Sequence, residues 1–138
     1  MPEEDQKVLY DFVIYLGSKF DEEFFSESMK FYSYDFFQGK QKKVEIILES
    51  NTKGFVKMYI ETIVAIYIRE LIKLFQDKFE VGPNLIHSSK IVIAINNHVD
   101  HHYRYAVKEI TNILGIHTQL IGSNHAKMLT YYVNKKSQ

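Results

Sequence analysis

The sequence predicts a mixed α/β protein, and three observations carry that prediction. Apolar residues recur at helical spacing in long runs, short β-branched runs lie between them, and the two patterns alternate from residue 43 onward. The expected architecture is an N-terminal helix, an antiparallel hairpin as an edge, then βαβαβα, giving a mainly parallel sheet flanked by helices. A chain of 138 residues that is 46% hydrophobic can close one core, so residues 1–138 are expected to form a single α/β domain.

Each element has its own local reason. Pro2 followed by Glu3, Glu4 and Asp5 suits a helix opening, and Val8, Leu9, Phe12, Val13, Leu16 and Phe20 continue the pattern, which predicts a helix over 3–19. Aromatic and β-branched residues on either side of Gly39 predict a hairpin pairing about 29–37 with 42–49. Ser50-Asn51-Thr52 reads as a helix cap before a long helix to Phe79. On it Lys57, Glu61, Arg69, Lys73 and Asp77 would form a narrow water-facing line, and Gly82-Pro83 would end it. KIVIAIN, 90–96, is expected to be a strand covered on both faces. A helix over 100–114 follows, stopped by Gly115, then a strand over 117–122 and a last helix capped by Ser123-Asn124.

Composition narrows the function classes. Seventeen basic residues balance seventeen acidic ones, which disfavours general nucleic-acid binding. With no cysteine, a metal would have to be held by His, Asp, Glu, Asn or carbonyl oxygens, and an intracellular setting fits. The acidic start MPEEDQKV does not read as a signal peptide, and charges interrupt the most apolar stretch, so no membrane span is expected. The location these features predict is the cytoplasm. Ten tyrosines and ten phenylalanines exceed what so small a core easily hides, which predicts a homo-oligomer.

The chemistry-bearing residues fall at three predicted junctions. Glu49-Ser50-Asn51-Thr52, Asn96-Asn97-His98 with Asp100, and Gly122-Ser123-Asn124-His125 would each open a helix at the carboxyl edge of the sheet. Free N–H groups there suit a phosphate or carboxylate, so the leading expectation is a small binding or regulatory protein holding an anionic ligand. Ser50, Asn51, Asn96, Asn97, Ser123 and Asn124 would do the binding. The same residue types also serve as ordinary helix caps.

The alternative is a metal-dependent hydrolase or phosphoesterase. His98 and His102 share the i, i+4 spacing that lets two imidazoles reach one zinc or manganese ion, His125 would complete the set, and Asp100 or Glu49 would activate water. Val99 stands where the familiar metalloprotease pattern has glutamate, and His87 and His117 fall at the opposite strand ends. No GxSxG, GxGxxG or GxxxxGK[ST] pattern occurs. A module acting only through its surface is the third class.

Overall fold

The computed structural model describes residues 9–50, 54–80, 82, 91–96 and 98–136. They form a mixed helix-and-strand structure with two small sheets.

The expected helix over 3–19 is corrected over its described part, residues 3–8 lying outside the described set. Phe12–Tyr15 make one 3-10 turn, bounded by left-handed Asp11 (φ 56°) and extended Leu16. Tyr15 and Leu16 are neighbours and both are buried, whereas adjacent residues of a helix point about 100° apart. Burying both side chains therefore favours a bent segment over a helix. A real helix, α1 (Glu22–Ser28), starts where Asp21 accepts a hydrogen bond from the Phe24 N–H at 2.9 Å, with Glu22 and Glu23 at its positive end.

The hairpin is present but shorter than expected. Strand β1 (Asp35–Gln38) pairs antiparallel with β2 (Val44–Ser50), Phe36 facing Ile46, while residues 29–31 are a 3-10 turn. Residues 54–59, expected inside the long helix, are instead a strand, β3 (Gly54–Tyr59), paired with β2 from Ser50↔Gly54 to Glu45↔Tyr59. FVKMY, with aromatic ends and a β-branched valine, suits a strand as readily as it fits a helix, and the open edge of β2 decides for the strand. Ser50 is thus a strand residue and caps no helix; Asn51 and Thr52 lie outside the described residues.

Helix α2 (Ile60–Phe79) begins directly after β3. Its buried residues include Glu61, which the sequence pattern had put on the water-facing line. Arg69, Lys73 and Asp77 do face water. The second half follows the predicted order: β4 (Ile91–Ile95), α3 (His101–Leu114), β5 (Thr118–Gly122) and α4 (Ser123–Lys136). Gly115 ends α3 in the left-handed conformation, as its C-terminal position requires.

The strands do not merge into one mainly parallel sheet. β1, β2 and β3 form an antiparallel sheet with β2 in the middle, and β4 and β5 form a separate parallel pair. Flanked on both sides, β2 has no edge to offer β4. Nor is β4 covered on both faces, since Val92 is 56% exposed. The core joins Phe25, Phe36 and Ile46 to Ile60 and Ile63 of α2 and to Val107 and Ile110 of α3. Around Phe25 the rings of Tyr15, Phe20, Phe24 and Phe36 pack at centroid distances of 4.8–5.2 Å. Each such pair adds about 0.5–1.5 kcal/mol beyond its buried area, yet eleven of the twenty tyrosine and phenylalanine rings remain exposed. Among the described residues no helix is long and apolar enough to cross a membrane.

Candidate functional site

A cavity lined by charged side chains lies where the N-terminal segment, the β1–β2 loop, α2 and α3 meet. It measures about 160 Å³ and is lined by Gly17, Ser18, Lys19, Gln41, Lys42, Lys43, Glu61, His102, Tyr105, Ala106 and Glu109. His102, Tyr105, Ala106 and Glu109 share one face of α3 because they recur at helical spacing. Glu61 comes from the first turn of α2.

Two backbone features shape the walls. Gly17 has φ +78°, and a Cβ there would lie 2.7 Å from the backbone of His102 and Tyr103, so only glycine lets this segment approach α3 so closely. On the facing loop, Gln41 (φ 56°) and Lys42 (φ 59°) are two consecutive non-glycine residues in the left-handed region. That strain costs on the order of 1–3 kcal/mol per residue and is characteristic of functional segments. The loop is fixed by the Phe20 N–H donating to the Lys42 carbonyl at 2.6 Å and by a Lys19–Lys43 bridge.

The charges are of both signs. Lys43 Nζ donates to both carboxylate oxygens of Glu109 at 2.6 Å, tying the loop to α3. Lys19 and Lys42 make no ion pair among the described residues. Lysines outnumber carboxylates on the cavity wall, three to two. Glu61 is only 6% exposed, and its Oε2 has no hydrogen-bond partner. An unsatisfied buried acceptor costs roughly 1–3 kcal/mol, more when charged. The cavity therefore presents ammonium groups for an anion and a buried acceptor for a donor.

Of the three junctions expected at one carboxyl edge, the second and third lie together and the first lies on the other sheet. The register Ile95↔Gly122 does bring Asn96 and Ser123 together at the carboxyl ends of two parallel strands. Asn96 Oδ1 accepts from the His98 N–H at 3.2 Å, and Asp100 Oδ1 accepts from the Tyr103 N–H at 2.9 Å. Asp100 is thus the cap of α3, and its carboxylate already sits where an anion would bind. Ser123 is the first residue of α4, with Asn124 and His125 exposed beside it. Ser50 and Glu49 lie at the β2–β3 end of the other sheet, so only two of the three junctions converge. Asn97 lies outside the described residues, as does His87.

The histidines do not assemble either. His102 lines the polar cavity, whereas His125 lines a shallow groove of about 460 Å³ along β5 and α4. Among the described residues no group of three or more His, Asp or Glu side chains is placed to hold one metal ion. The zinc or manganese reading on His98, His102 and His125 has no geometric support. Sequence reasoning did not single out Lys19, Lys42, Lys43 or Glu109 for a site, and put Glu61 on the water-facing line. The legible signal was Gly39-Lys40-Gln41-Lys42-Lys43, a basic turn; that Glu61 faces it depends on where α2 begins.

No known family model matches the chain. No curated protein matches it either.

Proposed function

We propose that the protein is a self-associating cytoplasmic binding or regulatory protein whose ligand is a small molecule carrying an anionic group and a hydrogen-bond donor. The observation that carries this reading is the convergence of Lys19, Lys42 and Lys43 on a cavity that also contains the buried, unpartnered Glu61. The anion, a phosphate or carboxylate, would sit against Lys19 and Lys42, and an amine or hydroxyl would reach Glu61. A volume of about 160 Å³, that of roughly five liquid waters, suits a group of amino-acid or phosphoamine size. Cysteine-free composition supports the cytoplasmic assignment.

Calorimetric titration with inorganic phosphate, phosphoethanolamine and phosphoserine tests this. Phosphoethanolamine and phosphoserine should bind more tightly than phosphate, and Lys42→Ala should weaken them about tenfold or more, the loss expected for a hydrogen bond to a charged group. Millimolar or weaker binding of all three, or affinity indifferent to Lys19→Ala and Lys42→Ala, overturns the reading.

A second location for the anion is favoured by one observation, the adjacency of Asn96 and Ser123 beyond β4 and β5. There the N–H groups of α4 would do the binding, with Asn124 beside them. Alanine at Asn96, Ser123 and Asn124 would weaken phosphate binding in that case and leave it unchanged if the lysine cavity is the site.

A further inference from the structure

Helix α2 is longer than the core it serves. Ile60 and Ile63 are 1% and 8% exposed, but the same face runs on through Tyr67, Leu71 and Leu74, which are 61%, 45% and 64% exposed. Phe75 and Phe79 flank that stripe at 51% and 59%. Arg69, Glu70 and Lys73 are on another arc and are occupied with one another: Lys73 Nζ and Arg69 Nε reach Glu70 Oε1 at 2.8 and 3.6 Å. An apolar seam is thus left bare along a helix face.

We infer that this seam pairs, antiparallel and about a two-fold axis, with the α2 seam of a second copy of the chain. The inference rests on the self-association in the functional reading above and supplies its surface. Spacing identifies the partner. Tyr67, Leu71, Leu74 and Lys78 are separated by four, three and four residues, the pattern of a helix–helix seam. That pattern reads the same in both directions, so a reversed copy of α2 presents a complementary row, as an isologous interface requires. Leu71 meets the partner copy's Leu74, and Tyr67 meets the partner copy's Lys78, an ammonium against an aromatic face. Equal numbers of acidic and basic residues leave no net repulsion between copies.

A stable interface covers about 800 Å² per partner. The three half-exposed aromatic rings of the seam alone bring roughly 300–400 Å² of that, at about 150–250 Å² per ring, with the two leucines and the polar rim in addition.

The test is sedimentation of the full chain across micromolar concentrations. Wild type should be a dimer. Leu71→Glu and Leu74→Lys should each weaken dimerisation about thirtyfold or more, the loss typical of a central interface residue. Mixing the two variants should restore a heterodimer, because residue 71 of one copy meets residue 74 of the other. A monomeric wild type, dimers indifferent to both substitutions, or failure of the mixture to pair overturns the inference. Both sites are on the exposed face, and circular dichroism checks the fold. Unchanged phosphoethanolamine affinity in Leu71→Glu separates failure of the interface from failure of the ligand site.

Discussion

Replacing Glu61 should make the protein more stable and less able to bind. Glu61 is 6% exposed and its Oε2 is buried without a partner, so the folded state bears the desolvation of that acceptor, roughly 1–3 kcal/mol. A leucine side chain at this position would remove the acceptor and add apolar surface beside Ile60 and Ile63, so Glu61→Leu should raise unfolding free energy by about 1–3 kcal/mol. With urea slopes of about 1–3 kcal/mol/M, the midpoint should rise by on the order of 1 M. Glu61→Gln keeps the shape and removes the charge but still buries an amide, so its gain should be smaller. Both variants should lose the preference for phosphoethanolamine over inorganic phosphate. Stability gained with function lost is the pattern of a group kept for binding. A fall of about 1 kcal/mol or more in both variants would refute the reasoning, because a loss of that size, typical of a satisfied hydrogen bond, would mean that Glu61 is satisfied in the folded protein.

Other consequences follow from the same geometry. Gly17→Ala combines a left-handed backbone with overlap at 2.7 Å against α3, and should cost about 2–4 kcal/mol in denaturant unfolding. Asp100→Ala removes the cap of α3 and should cost about 0.5–2 kcal/mol while leaving ligand affinity unchanged in calorimetry. The Tyr32 phenol is pushed up to about 12, first by its hydroxyl contact with Tyr15 and then by burial. Burial raises Tyr34 further, and its hydroxyl donates to the Tyr10 carbonyl. A phenol whose folded value lies above its unfolded value of about 10 contributes stability that is intact below about pH 10 and lost as pH rises through about 12. Ultraviolet titration should therefore show late tyrosines whose ionisation coincides with unfolding, and Tyr34→Phe should flatten that alkaline loss.

Local sequence was sufficient where the signal was local. The Asp100 cap, the α3 periodicity and the Gly115 stop are written in neighbouring residues, and the structure has all three. The β-branched runs that became β4 and β5 were legible for the same reason. A mixed α/β composition was legible too, as were the two strand ends at Asn96 and Ser123.

The rest needed the third dimension. FVKMY satisfies both a helical and an extended pattern, and only the unpaired edge of β2 made it a strand. That one choice moved the start of α2 to Ile60, turned Glu61 from the expected water-facing line into the core, and removed Ser50 from any helix opening. The N-terminal segment looked helical because Val13, Leu16 and Phe20 have the right spacing, but burying adjacent Tyr15 and Leu16 and seating Gly17 on α3 required a bend. Short windows of sequence suffice for which segments are apolar, for the Asp100 cap and Gly115 stop of α3, and for the balance of charge. Which lysines face which carboxylate was decided by tertiary structure alone, because contacts between residues 19, 43, 61 and 109 arise from strand pairing and helix packing that no short window of sequence contains.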